Sequence, residues 1–351
     1  MKKILLFLSF LFCINTFATT DYSTVDWKEQ LIYPISLSEK VFNPNIVTNA
    51  ENIPYILFAS SLAGENKLKI FKFENEAPTE SLNETLLSEA LTPKLHFENE
   101  TVYYSFAANN QNGGNSIYYG YFSEDFTSSA LNVAFDGIAQ SEEYNCADFC
   151  IYQNEPHFSF STFGSSMSYI YYSKLMSNKS QIDTSDSMLH WEIPIYSNVF
   201  IHNEKPVIFY MAFTIDTQTF EETAVFKVTG LNELNEPVTL TIDSFPDTEI
   251  LYSALQTNTL NNNYYYIYIR KTTNVQLETV NNIYVKKISN LDIASELFNE
   301  EERLVYSTTK EIDFVDLAVS FDSINDVDIY HIAVKENETL GNEKRYSVKY
   351  I

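Results

Sequence analysis

The side chains able to do chemistry in this sequence are scattered. The five histidines are His96, His157, His190, His202 and His331. Metal binding usually draws on ligand pairs a few residues apart. No two of these histidines stand a few residues apart. A ring of histidines around a channel could hold a metal, but without ligand spacing they read as ordinary strand and turn residues. No metal and no cofactor is expected. Gly-x-Ser-x-Gly, His-Glu-x-x-His and phosphate-loop patterns do not occur. Nothing in the sequence supports a serine–histidine–aspartate arrangement.

Carboxylates are the more serious chemistry. Glycoside cleavage needs two acids roughly 5 to 10 Å apart. With 47 Asp and Glu in the chain, some pair meets that test by chance. First-strand acids such as Asp148, Glu192, Asp313 and Asp316 are candidates for a place near the channel of the architecture derived below. Each reads first as a solvated loop residue. "DSINDVD", 322–328, gathers three aspartates but lacks the Gly and distal Glu of a calcium loop, so it reads as a tight turn. Cys146 and Cys150 in "NCADFC" are the cysteines left once Cys13 is set aside. Four residues along a straight strand span about 13 Å, against about 7 Å for a disulfide. The pair can bridge only if Ala147 to Phe149 turn or coil.

Positioning these groups is the work of a repeat. "LKIFKF" 68–73, "IYYGYF" 117–122, "IYYSKL" 170–175, "TAVFKV" 223–228, "IYVKKI" 283–288 and "YSVKYI" 346–351 recur about every 50 to 60 residues. A polar turn and an aromatic strand precede each copy, as in "FENETVYYSFA" 97–107 and "YQNEPHFSFS" 152–161. A further short apolar stretch stands before each turn, such as "PKLHF" 93–97. A fourth often follows the third, as in "ALNVAF" 130–135, "PVTLTI" 237–242 and "RLVYS" 303–307. Tyr, Phe, Ile and Val dominate, the residues that suit a pleated and buried surface. "NLDIASELFNEEER", 290–303, is the one mildly helical segment.

Six four-stranded units of this size predict an all-β fold, a six-bladed β-propeller of antiparallel blades. Stacking blades around an axis covers each on two faces, which explains strands that are apolar throughout, such as "NYYYIYI". The chain ends on the third strand of the sixth unit. The segment "EQLIYPIS", 29–36, is therefore expected to join the last blade and close the ring, so that no blade is left half finished. The competing architecture is two stacked sandwiches or two smaller barrels. No Gly/Ser- or Pro-rich linker divides the chain to suggest it.

The N-terminus sets the expected compartment. Lys2 and Lys3 precede an apolar run from Ile4 to Ile14, then Thr16-Phe17-Ala18 offers small residues for cleavage. Residues 1–18 are read as a bacterial-type signal peptide and 19–351 as one propeller domain, exported to the periplasm or beyond. The run is shorter than the roughly 20 residues a bilayer demands, and no later segment comes closer. The chain carries a formal charge of −25. Such an acidic protein is repelled by nucleic acid and anionic lipid, and its charge serves solubility.

The strand–turn–strand–"IYYS" rhythm resembles bacterial six-bladed propellers of the sialidase or BNR-repeat kind. That family marks the loop after the third strand with an Asp box, Ser-x-Asp-x-Gly-x-x-Trp. Ser123-Glu124-Asp125 stands in the matching place, without the Gly and Trp. The resemblance implies a site where three arginines hold a substrate carboxylate beside a Tyr–Glu nucleophile pair and an Asp acid. The chain's three arginines, Arg270, Arg303 and Arg345, all come late and away from first strands. The expected function is accordingly a non-catalytic binding or scaffold module for a protein or carbohydrate ligand. The alternative is a sialidase-like or other carbohydrate-active hydrolase or lyase.

Overall fold

A computed structural model describes residues 30–34 and 39–351, apart from 75–76, 87–88, 99–100, 110–114, 124–128, 136–142, 164–167, 175–179, 185, 188–189, 217, 220, 232–236, 247–249, 259–262, 293–296, 323, 325–326 and 341–342. The expected signal peptide, 1–18, lies outside the described residues.

Strand β1 (Gln30–Pro34) comes first. A first sheet follows from β2 (Lys40–Val41), β3 (Asn45–Thr48), β4 (Pro54–Leu62), β5 (Glu65–Glu74) and β6 (Ala77–Leu86). The second holds β7 (Leu91–Glu98), β8 (Thr101–Asn109), β9 (Asn115–Ser123) and β10 (Ser129–Phe135). The third holds β11 (Glu143–Tyr152), β12 (Glu155–Phe163), β13 (Ser168–Lys174) and β14 (Ser180–Thr184). In the fourth are β15 (Asp186–Ser187), β16 (His190–His202), β17 (Lys205–Asp216), β18 (Glu222–Leu231) and β19 (Pro237–Pro246). In the fifth are β20 (Ile250–Asn258), β21 (Asn263–Thr273), β22 (Thr279–Asp292) and β23 (Leu297–Thr308). The last is β24 (Glu311–Asp322), β25 (Val327–Leu340) and β26 (Glu343–Tyr350), with β1 paired antiparallel to β26 through Gln30 and Tyr350. The chain is thus all-β and antiparallel among the described residues. The segment with a mildly helical pattern, 290–303, is a correction. Asp292 and Leu297 pair as the ends of β22 and β23, because the ladder along "EEERLVY" outweighs local helix propensity.

Tight turns join paired strands within the sheets. β11 and β12 join through Gln153 and Asn154, both at positive φ, and β16 and β17 through Asn203 and Glu204, also both positive. Two consecutive positive φ values match the right-handed twist of a hairpin. Ala63 and Gly64 do the same between β4 and β5.

Alternation along the strands then distributes the core. Tyr264, Tyr266 and Tyr268 pack with Phe209, Met211 and Phe226 of the fourth sheet. The intervening Tyr265, Ile267 and Ile269 pack with Phe314, Val315 and Ile332 of the last. Period-two alternation with both faces apolar therefore means two neighbours rather than one. Every consecutive pair of sheets shares such a cluster, and Ile56, Phe58 and Phe71 of the first sheet pack with Ala318, Ala333 and Val348 of the last. The first long strands β3, β7, β11, β16, β20 and β24 each lie against the next, and β24 lies against β3.

Candidate functional site

The site is built from corresponding positions on these first strands. Counted from the ladder, Asn45 opposes Leu57, Lys94 opposes Ser105, Asp148 opposes Ser159, Asn198 opposes Phe209 and Asp316 opposes Ala333. In β7 and β11 a register shift falls just before this position. Such a bulge bends the strand and re-aims the next side chain.

Two carboxylates at this level are bound to their neighbours. Asp316 accepts hydrogen bonds from the Asn45 side chain at 2.5 Å and from the Ile46 backbone N–H at 2.9 Å. Asp148 accepts from the Asn198 side chain at 3.2 Å and from the Val199 N–H at 3.1 Å. The Asn45 amide oxygen in turn accepts from the Leu95 N–H at 2.5 Å. Burial raises the pKa of both acids. The Lys94 charge and these hydrogen bonds pull partly the other way. Asp316 is buried, which corrects the expectation of a solvated loop residue, and Asp148 is partly buried on a strand.

A cavity of about 90 Å³ opens beside Asp148. Its polar wall is Asn45, Lys94, His96, Asp148 and Asn198, and Phe149 and Phe200 are among its apolar lining. Both carboxylates feel the Lys94 charge, yet no hydrogen bond or ion pair engages Lys94 among the described residues. The volume is well below the roughly 300 to 1,000 Å³ of a typical small-molecule site. It admits a functional group of a ligand rather than a whole drug-sized molecule.

The other candidates go elsewhere. Asp313 accepts from the Asn337 amide and stands 3.7 Å from Lys335, within its own sheet. The side chains of Glu192, His190 and Arg345 lie outside the described ones. Arg270 is exposed, and Arg303 pairs with the exposed Glu301, so these two do not converge on a carboxylate site. His157 contacts the Tyr172 hydroxyl at 2.6 Å, and His202 contacts that of Tyr264 at 2.8 Å. His331 sits between Ser320 Oγ at 2.9 Å and Tyr350 OH at 2.7 Å. Burial lowers the pKa of all three, to about 4 for His331. They are neutral packing histidines, and no cluster of three potential metal ligands occurs among the described residues. Cys150 is a buried thiol beside the cavity with no disulfide partner among the described residues, its pKa pushed up by burial and by Asp148. The expected bridge to Cys146 falls on a side chain outside the described ones.

Sequence reasoning missed Asn45, Lys94 and Asn198. Lys94 and Asn198 share a position four residues before the end of the strand, in "PKLHFE" and "SNVFIH", and that was the available signal.

No family model matches the chain, and no curated protein matches it in sequence. Solved structures do resemble it. A protein of unknown function from Dyadobacter fermentans DSM 18053 is similar at a TM-score of 0.56 and 9% identity, covering 92% of this chain and 97% of that one. A thermostable family-43 glycoside hydrolase is similar at 0.50 and 11%, covering 78% and 96%. The haemagglutinin-neuraminidase ectodomain of parainfluenza virus 5 is similar at 0.51 and 5%, covering 93% and 83%. No described helix is long and apolar enough to cross a membrane. At these identities the likeness concerns the fold alone, an all-β arrangement of antiparallel sheets of the β-propeller class.

Proposed function

We propose that the chain is an exported, six-bladed β-propeller that binds a glycan or protein ligand without transforming it. The six sheets serve as blades, and β1 completes the last one to close the ring. The shared core of the first and last sheets supports this closure, as does the Asp316–Asn45 contact between them. One observation carries the non-catalytic reading. At the level of the cavity, Asp148 and Asp316 each spend a carboxylate oxygen on a neighbouring amide and backbone N–H. The first and fourth sheets offer amides there, Asn45 and Asn198. Amides orient ligands but do not transfer protons near neutral pH.

A carbohydrate-active hydrolase is the second reading. It is favoured by the fold likeness to a family-43 glycoside hydrolase and by Asp148, a carboxyl with a raised pKa facing a cavity. The deciding experiment is a glycan array run beside a panel of chromogenic glycosides on the mature chain. Binding without turnover is expected. Hydrolysis that disappears in Asp148→Asn would replace the first reading with the second.

A further inference from the structure

Lys94 and Asp148 line the same cavity from adjacent sheets, β7 and β11. They are of opposite charge, and the Lys94 ammonium pulls the Asp148 pKa down against the effect of burial. Even so, no ion pair within bonding range joins them, and the cavity stands in the gap. An ammonium has three donors and no acceptor, while a carboxylate is acceptor only. Asp148 Oδ2 is already occupied by the Asn198 amide and the Val199 N–H. The group that suits the gap must therefore accept from Lys94 and donate to the carboxylate or to an amide oxygen. A hydroxyl does both. Phe149 and Phe200 supply apolar surface next to it, which suits the C–H faces of a polyol.

Charge narrows the class further. Lys94 shares the cavity lining with Asp148, and its charge also reaches the buried Asp316 behind Asn45, in a chain of net charge −25. An anionic ligand group placed at Lys94 would gain one ammonium and meet two carboxylates. A hydroxyl meets no such penalty. We infer that the cavity is the subsite for a hydroxyl of a neutral, polyhydroxylated ligand, anchored by Lys94 and Asp148. This rests on the binding reading above and reverses the anionic preference that a sialidase-like site would have.

The test uses the mature chain and three probe sets on one array: neutral oligosaccharides, uronic-acid oligosaccharides and amino-sugar oligosaccharides. Titration calorimetry follows on the hits. Neutral probes alone are expected to bind. Lys94→Met keeps the aliphatic stem and removes the donors, so it is expected to weaken binding by about 10- to 100-fold, the worth of a hydrogen bond to a charged group. Thermal melts check that the variant folds. Should Lys94→Met fail to fold, Lys94→Leu removes the same donors with a shorter apolar side chain. Preference for uronic-acid probes, or unchanged neutral binding in a folded Lys94 variant, overturns this inference and leaves the binding reading standing. Hydrolysis of a neutral probe overturns the non-catalytic reading and leaves the subsite standing. Binding of no glycan at all overturns the subsite and the glycan half of the reading together.

Discussion

Asp316 on the last sheet grips Asn45 on the first, across 271 positions of sequence. The same carboxylate also accepts the Ile46 N–H, so one side chain does for a neighbouring strand what a ladder carbonyl would do. Asp148 repeats the arrangement on Asn198 and Val199 between the third and fourth sheets. The repetition identifies a device for joining sheets whose edges do not pair. Removing the acceptor at Asp316 strands a buried N–H and a buried amide. Asp316→Ala is therefore expected to cost about 1 to 3 kcal/mol. Asp316→Asn keeps one carbonyl oxygen and sheds a buried charge, so it should cost less. Urea unfolding of both variants checks this. Equal stability of Asp316→Ala and the parent chain would remove the grip from the account.

Acid should weaken the protein through His331. Its folded pKa, about 4, lies below the ordinary 6.5 because burial disfavours the imidazolium. Between those values the unfolded chain binds the proton and the folded chain does not. Stability is then fully present above about pH 6.5 and is lost as pH falls toward 4, by about 3 kcal/mol. Asp148 and Asp316 work the opposite way, since their raised pKa values favour the folded state as pH falls through them. Comparison with His331→Gln isolates the histidine. The variant should show a flatter stability profile between pH 4 and 6.5, read by thermal denaturation at fixed ionic strength. A parallel profile would mean that His331 is charged in the fold.

Between the fourth and fifth sheets, Lys286 pairs with Asp243 and, at 2.9 Å, with Glu300. Burial lowers the Lys286 pKa, but the hydrogen bonds and charges of the two acids outweigh it and the net direction is up. The ammonium side chain is 7% exposed, whereas Glu300 is 46% exposed and contributes little. Tyr266 donates to the same Asp243 carboxylate at 3.2 Å. Lys286→Met leaves that carboxylate uncompensated and is expected to destabilise by about 3 to 5 kcal/mol. The double variant Lys286→Met with Asp243→Asn should recover part of the loss. A double variant less stable than either single one would contradict pairing.

The stretch "NSIYYGYF" offers a test of burial against appearance. Tyr119 is 7% exposed and meets Phe149 and Phe158 of the third sheet edge-on, at ring centroid distances of 5.9 and 5.8 Å. Tyr121, two residues on, is 42% exposed. Tyr119→Ala is expected to cost about 3 to 5 kcal/mol and Tyr121→Ala under about 1 kcal/mol. Equilibrium unfolding of the two variants gives the comparison, and similar losses would mean that the second and third sheets do not pack through Tyr119.

Particular residues separate what was legible from what was not. "NYYYIYI" announced a strand covered on both faces because six consecutive positions there are apolar or aromatic, and Tyr264 to Ile269 are all buried. "QNEP" announced a hairpin because its polar pair accepts positive φ, and Gln153 and Asn154 adopt it. Segment 290–303 misled because its helical spacing is local, while the ladder with β22 is not. Asp148 and Asp316 are legible as first-strand acids but not as buried ones, since a lone Asp in sequence carries no sign of the Asn and backbone N–H that will donate to it.

The sequence by itself determined the elements: their β character, their turns, their repeat and their two-sided burial. Those follow from local sterics and from alternation within a few residues. Only the tertiary structure decided which polar groups meet. Asn45, Lys94, Asp148 and Asn198 stand about 50 residues apart from one to the next, and Asp316 lies far beyond them. Side-by-side packing of the sheets, set by the apolar clusters between them, brings Lys94 within reach of two carboxylates and leaves a cavity in which it touches neither.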